Sequence, residues 1–117
     1  QDQKIVKQYY ESSDLLVYPS SCENCPSIIL EAMSYGLPIA SSNLRPMTDI
    51  MGDSALYFDH TNTTSIAQTI EIFIKNVDLR SKLSLELFSK SKKYKWELVA
   101  EDTFSYLSEI AKGHLTN

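Results

Sequence analysis

Residues 22–31 of the chain read CENCPSIILE, and this stretch joins a strand pattern to a helix pattern. The apolar run at residues 15–18 before it is typical of a short buried strand, and residues 27–35 after it carry an apolar stripe. Pro26 suits the first turn of the helix, where its missing N–H costs nothing. The stretch therefore predicts a strand–loop–helix unit, and in parallel sheets ligands bind outside the carboxyl ends of such strands.

Two carboxylates flank this junction, Glu23 in the loop and Glu31 in the first turns of the helix. A helix start offers unpaired N–H groups and a positive dipole end, which suit an anionic ligand. Carboxylates would repel a phosphate, so they are better placed on the hydroxyls of the same ligand. Helix geometry puts Glu31 roughly 6–8 Å along the axis from the helix start, within reach of a ribose. The arrangement describes a nucleotide-sugar site, although carboxylates at this spacing also occur by chance as solvated charges.

Strand and helix patterns alternate on both sides of the junction. A helix is expected at residues 3–12, and further short strands at 38–41 and 55–58. A helical turn is expected at 46–51, and helices at 64–77, with Thr64 or Ser65 as the cap, at about 78–90 and after residue 96. This alternation predicts an α/β fold, a Rossmann-like three-layer domain with a small parallel sheet flanked by helices.

Size and composition place the chain among ordinary soluble globular proteins. Its 117 residues fit one domain, and hydrophobic residues make up 43% and charged residues 22% of them. The net charge of −4 argues against general affinity for nucleic acid. No apolar run approaches the roughly 20 residues that span a bilayer. Two cysteines without a secretory-signal pattern fit a reducing compartment, so we expect a cytoplasmic protein.

The two cysteines support an alternative from a different functional class. Cys22 and Cys25 form a C-x-x-C after a strand and at the start of a helix, which is the context of a thioredoxin-like redox motif. Against it, Glu23 would place a negative charge beside the thiolate, and repeated βα units differ from the mixed sheet of thioredoxin. A zinc site would need a second ligand pair at suitable spacing, which the sequence lacks. We therefore predict no metal site.

Several motifs extend along the chain from about residue 5 to 110. They are SDLLVYPS at 13–20, the E-x7-E pair Glu23 and Glu31, Ala-Met at 32–33, Gly-x-Pro at 36–38, GDSALYFD at 52–59, SIA at 65–67, VDLR at 77–80 and YKW at 94–96. Together they resemble the C-terminal part of a family 4 glycosyltransferase of the GT-B fold (glycosyl transferases group 1). E-x7-E followed by Ala-Met and Gly-x-Pro is far more specific than either glutamate alone.

The resemblance implies a role for each residue around the junction. Glu23 would be catalytic, contacting the donor sugar and supporting the charge that develops at its anomeric carbon. Backbone N–H groups around Asn24, Cys25 and Ser27, with the dipole of the following helix, would hold the donor sugar and diphosphate. Glu31 would accept hydrogen bonds from the ribose hydroxyls. The implied enzyme is a retaining transferase without metal or cofactor, using a nucleotide-sugar such as a UDP- or GDP-sugar as substrate.

Such enzymes have two Rossmann-like domains with the active site between them, and residues 1–117 resemble only part of the second. We therefore expect a partial domain, inactive alone, that needs an N-terminal domain binding a glycan or lipid-linked acceptor. Cell-surface polysaccharide or glycan synthesis is the expected setting, in the cytoplasm or peripherally at the inner face of a membrane. The short sheet predicts self-association through an exposed edge. A nucleotide-sugar epimerase of the same fold remains an alternative.

The loop departs from the family pattern where it would touch the sugar. Many relatives carry a Gly-aromatic-Gly run after the first glutamate, whereas Asn24, Cys25 and Pro26 stand here. A variant with proline at this position is also familiar. Both glutamates of the motif are retained, so the departure bears on which donor sugar is recognised.

Overall fold

The computed structural model describes residues 2–114 and shows short strands alternating with helices. The strands are β1 (Leu16–Tyr18), β2 (Ile39–Ser42) and β3 (Leu56–Phe58). The helices are α1 (Gln3–Ser12), α2 (Ser27–Ser34), α3 (Met47–Met51), α4 (Thr63–Lys75), α5 (Val77–Ser91) and α6 (Trp96–His114), and a 3-10 turn, Gly52–Ser54, follows α3. All the predicted elements are present. Most of their observed ends differ from the predicted ends by one to three residues.

The three strands form one parallel sheet in the order β1-β2-β3. All four residues of the central strand β2 are buried, as expected for a strand covered on both faces. Ile39 faces a cluster that includes Met33 of α2, whereas the next residue, Ala40, faces a cluster that includes Phe73 of α4. Helices therefore cover both faces of the sheet, and the prediction of a small parallel sheet flanked by helices is confirmed.

Helix α2 ends in a hydrogen-bonded cap that ties it to the sheet. Gly36 has a φ of 67°, a left-handed conformation that glycine adopts without strain. The N–H of Leu37 donates to the carbonyl of Ala32 at 3.0 Å, and that of Gly36 donates to Met33 at 3.0 Å, as in a Schellman motif. The carbonyl of Pro38 then accepts from the N–H of Leu16. This link fixes α2 relative to β1, the strand that leads to the candidate site.

The predicted caps of α4 and its predicted end were wrong. Asn62 caps the helix, since its side-chain oxygen accepts from the N–H of Ser65 at 3.1 Å. The helix therefore begins before Thr64, and the Ser65 hydroxyl accepts from the N–H of Asp59 instead. Val77, the predicted last residue of this helix, lies outside α4, because Asn76 ends α4 and caps α5. Val77 is accordingly 57% exposed.

The last helix, α6, carries apolar side chains that are largely exposed. Phe104, for example, is 72% exposed and Leu107 is 53% exposed. The sequence predicts a helix here that carries Val99, Phe104, Leu107 and Ile110, and the described structure leaves all four side chains exposed. Within residues 2–114, no helix combines the length and the apolar character needed to cross a membrane.

Candidate functional site

The loop between β1 and α2 lies at the carboxyl end of the first strand, where the sequence predicts ligand binding. The buried ring of Pro26 anchors the end of this loop and forms the N-cap position of α2. The cap residue makes no side-chain hydrogen bond to the first turn of α2. In the first turn, the N–H of Ser27 donates to the carbonyl of Cys25 at 2.9 Å and that of Ile29 donates to the carbonyl of Pro26 at 3.0 Å. The start of this helix therefore presents its dipole without a side-chain oxygen in front of it.

Glu23 is held in this loop by two hydroxyl groups that precede it in the sequence. Its Oε1 accepts from Ser20 Oγ at 2.6 Å and from the hydroxyl of Tyr18, the last residue of β1. The hydrogen bond from Ser20 is the main cause that holds the pKa of Glu23 below its ordinary value, and the bond from Tyr18 adds to it. Burial, reinforced by Glu23, raises the pKa of Tyr18 to about 12, so this hydroxyl stays protonated and remains a donor at neutral pH. Glu23 is thus an ionised carboxylate whose other oxygen, Oε2, takes neither of these bonds.

Glu31 is exposed on the outer face of α2, opposite the side that packs on the sheet. Its Oε2 accepts from the hydroxyl of Tyr10, near the end of α1, at 3.1 Å. The Tyr10 ring is stacked on Tyr35, with ring centroids 5.1 Å apart and ring planes 9° apart. Burial is the main cause that raises the pKa of Tyr10 to about 12, and the bond to Glu31 adds to it. Contacts from α1 therefore fix the second carboxylate.

An open groove of about 730 Å³ lies between α1 and α2 beside Glu31. Lys4 and Lys7 of α1 line it on one side, and Glu31 and Ser34 of α2 on the other. Glu23 is not among the residues that line this groove. The groove therefore combines a carboxylate acceptor with cationic side chains, a mixture that suits a ligand with both hydroxyl and anionic groups.

The remaining predicted site residues follow Glu23 along the chain. Asn24, Cys25 and Ser27 are all exposed, in the last part of the loop and at the first position of α2. Cys22 and Cys25 are exposed free thiols, and the sheet next to them is wholly parallel. Within the described part of the chain, no three His, Cys, Asp or Glu side chains come together as metal ligands would.

Sequence reasoning missed the hydroxyl groups that hold the two glutamates. Tyr18 reads as an apolar strand residue and Tyr10 as one of the apolar residues of an amphipathic helix. Ser20 follows a strand, where serine most often caps or turns the chain. The only signal for Tyr18 is its place at the carboxyl end of the strand, and nothing local to Tyr10 points to Glu31.

Comparison with known proteins identifies the family. The family model described as glycosyl transferases group 1 matches residues 1–88 of the chain. The chain belongs to this family. The matched region contains the whole sheet, both glutamates and the hydroxyl groups that hold them.

Two curated relatives agree with the family assignment. An uncharacterized glycosyltransferase of Haemophilus influenzae is 28% identical over 100 residues, which cover 83% of this chain and 28% of that protein. The O-antigen chain mannosyltransferase B of Escherichia coli is 28% identical over 96 residues, covering 82% of this chain and 25% of that protein. The group 1 chain therefore spans about a quarter of the length of each relative.

A solved structure supports the fold independently. The chain superposes on sucrose-phosphate synthase from Thermosynechococcus elongatus with a TM-score of 0.82, covering 97% of this chain and 29% of that one. Sequence identity is 19%, so this likeness speaks for the fold alone. The expected resemblance to group 1 glycosyltransferases is confirmed at the level of the family and of the fold.

Proposed function

We propose that this chain is the donor-binding part of an enzyme that transfers a sugar from a nucleotide-sugar to an acceptor. The observation that carries the proposal is the pair of carboxylates at the β1–α2 junction, each held by a tyrosine hydroxyl. Membership of the group 1 family supports the same activity. The chain spans 25% of the mannosyltransferase relative, so the complete enzyme, as proposed, joins it to an N-terminal acceptor-binding domain.

Glu31 is proposed to bind the ribose of the donor. An ionised carboxylate only accepts hydrogen bonds, and ribose hydroxyls are donors at adjacent carbons. Glu31 lines an open groove and uses Oε2 for the Tyr10 bond, which leaves Oε1 for a ribose hydroxyl. Lys4 and Lys7 border the same groove, and Lys7 also pairs with Glu11 at 3.5 Å, so Lys4 would be the main source of positive charge near a bound nucleotide.

Glu23 is proposed to act on the donor sugar itself. Transfer develops positive charge at the anomeric carbon, and a fixed carboxylate stabilises such charge. A carboxylate whose pKa is lowered by Ser20 and Tyr18 suits this electrostatic role and is a poor proton donor at neutral pH. Backbone N–H groups around Asn24, Cys25 and Ser27, with the α2 dipole, would hold the sugar and the diphosphate, and the Ser27 N–H would exchange its bond to the Cys25 carbonyl for one to the ligand.

The enzyme family, the stereochemistry of transfer and the class of donor and acceptor are proposed from the resemblance. We propose a family 4 enzyme of GT-B arrangement that retains anomeric configuration and uses neither a divalent metal nor a cofactor. The donor is a UDP- or GDP-sugar and the acceptor a glycan or lipid-linked glycan. The name of the Escherichia coli relative, an O-antigen chain mannosyltransferase, supports a role in cell-surface polysaccharide synthesis. The proposed location is the cytoplasm or the inner face of a membrane.

The test is calorimetric titration of UDP, GDP and their sugar conjugates into the complete enzyme, as wild type and as Glu31→Ala. We expect one nucleotide to be preferred and its binding to be lost in the variant. Glu101→Ala, which removes an exposed glutamate of α6, is the matched control and should bind as the wild type does. Unchanged nucleotide affinity in Glu31→Ala would refute the donor-site assignment.

Transfer assays separate the two glutamates. Glu23→Gln should lower kcat while leaving nucleotide affinity close to that of the wild type, because Glu23 would act mainly in the transition state. The 117-residue chain alone should bind nucleotide weakly and transfer nothing. Efficient transfer by the isolated chain would show that no second domain is needed.

A further inference from the structure

We infer that Tyr10 is a positioning residue for donor binding, which fixes the Glu31 carboxylate for the ribose hydroxyls. The inference rests on the proposed function, because it assigns a role to the partner of Glu31. Tyr10 lies on α1 and Glu31 on α2, 21 residues later in the chain. The bond between them is a contact between two helices and belongs to the tertiary structure.

The Tyr10 hydroxyl is itself held in place by the packing of its ring. The ring is stacked on Tyr35 at a centroid distance of 5.1 Å and packs against the core cluster that contains Ile29 and Met33. Tyr35 is the C-cap residue of α2, the helix that carries Glu31. Helix α1 therefore contacts α2 through ring stacking and through the hydroxyl bond, which together define where the Glu31 carboxylate lies.

Fixing this carboxylate favours binding by lowering its entropic cost. A glutamate on an exposed helix face samples several rotamers in the free protein, and holding it for a ligand costs free energy on binding. The Tyr10 bond to Oε2 at 3.1 Å selects one arrangement of the Glu31 side chain before the ligand binds. Because Oε2 is held, the position of Oε1, the other oxygen of the same carboxylate, is restricted as well. The Tyr10 hydroxyl remains a donor at neutral pH because its pKa is raised to about 12.

The neighbouring tyrosine provides a matched control. Tyr9 is 69% exposed, and its backbone carbonyl, which a side-chain change does not remove, accepts from Ser12 and Ser13. Both Tyr9→Phe and Tyr10→Phe delete one hydroxyl and retain the ring. Only the Tyr10 change removes a bond to Glu31, so a difference between the two variants reports on that bond.

The experiment is titration of the preferred nucleoside diphosphate and of its 2′,3′-dideoxy analogue into the complete enzyme and its variants. Tyr10→Phe should weaken binding of the parent nucleotide by about 3- to 10-fold, the usual effect of one lost hydrogen bond. Binding of the dideoxy analogue should change little, so the preference for the hydroxylated ligand should shrink. Tyr9→Phe should leave both affinities unchanged.

Combining variants shows whether Tyr10 acts through Glu31. In a Glu31→Ala background, Tyr10→Phe should have no further effect on the preference for the hydroxylated nucleotide. Equal losses for both nucleotides, or an undiminished Tyr10 effect without Glu31, would overturn the inference. If Glu31→Ala itself leaves the preference intact, the proposed function fails. If Glu31→Ala abolishes the preference and Tyr10→Phe does not change it, only the role of Tyr10 fails.

Discussion

Replacing Met33 with alanine should destabilise the chain and leave its proposed donor site intact, because α2 packs through one face and carries Glu31 on the opposite face. Met33 is fully buried in the cluster that contains Ile39 of β2 and Leu87 of α5. Glu31, two positions earlier, is exposed and lines the groove. The two faces can therefore be perturbed separately.

The magnitude follows from the atoms removed. Met33→Ala deletes the Cγ, Sδ and Cε atoms from a site with no exposed surface. At about 0.8 kcal/mol for each buried group, the transfer free energy lost is about 2 kcal/mol. The cavity left behind brings the expected loss in free energy of unfolding to about 3 kcal/mol, within the range seen for methionine in protein cores. For a domain of this size, Tm should fall by roughly 10 °C or more.

The assays are urea denaturation of the chain, followed by circular dichroism, and nucleotide titration at 25 °C. A domain stable by about 5 kcal/mol or more remains almost wholly folded after this loss, so nucleotide affinity should stay within about twofold of wild type. Glu31→Ala is the reciprocal variant. It removes an exposed side chain with one hydrogen bond to Tyr10, so its unfolding free energy should change by about 1 kcal/mol or less, while nucleotide binding is lost.

The reasoning would be refuted if Met33→Ala left stability unchanged, or if Glu31→Ala lowered stability strongly without loss of nucleotide binding. A stable Met33→Ala protein would mean that α2 does not pack on the sheet through this face. Strong destabilisation by Glu31→Ala with retained binding would mean that Glu31 and Tyr10 serve only to join α1 to α2.

Three other predictions concern the loop, the end of α2 and the sheet. Combining Tyr18→Phe with Ser20→Ala should raise the pKa of Glu23 toward its ordinary value, as measured by carboxyl NMR titration. Folding lowers this pKa, so the stabilisation is present at neutral pH and is lost as the pH falls through the folded value; an unchanged pKa in the double variant would contradict the assigned cause. Gly36→Ala places a side chain at a φ of 67° and should cost about 1–2 kcal/mol in urea denaturation, whereas wild-type stability would show that the turn relaxes without strain. In the described structure β1 and β3 each pair with β2 alone, so light scattering should detect self-association at high concentration, and a clean monomer would count against it.

Much of the fold could be predicted because its signals are local. Continuous apolar runs mark β1 and β3, Ile39-Ala40 after Pro38 marks β2, and the Gly36–Leu37–Pro38 sequence marks the end of α2. The start of α4 could not be placed to the residue, since Asn62, Thr63, Thr64 and Ser65 can all cap a helix. The turn at Asp59 determines which of them is the cap. The N–H of Asp59 donates to the Ser65 hydroxyl, and the side chain of Asn62 caps the helix. That choice depends on the loop conformation, which periodicity does not encode.

The candidate site was predictable in its acidic residues and unpredictable in their partners. Glu23 and Glu31 stand out through their position at a strand–helix junction and through the motif they form. Their roles remain predictions that nucleotide binding and transfer assays will test. Tyr10 meets Glu31 only because α1 packs beside α2, and Tyr18 meets Glu23 only because the loop folds back toward β1. Such contacts depend on tertiary packing and loop geometry, which local sequence patterns leave undetermined.

The two glutamates are held by separate sets of hydrogen bonds. Glu31 depends on α1 through Tyr10, whereas Glu23 depends on β1 and the following loop through Tyr18 and Ser20. The hydrogen bonds that hold one carboxylate share no residue with those that hold the other, so changes at one should add to changes at the other in free energy. If the two glutamates have their proposed roles, the loop that carries Glu23 can vary to accept a different sugar while the proposed ribose contact stays in place. The independence of the two sets of hydrogen bonds is a physical reason why the sequence after Glu23 can depart from the family pattern while Glu31 is kept.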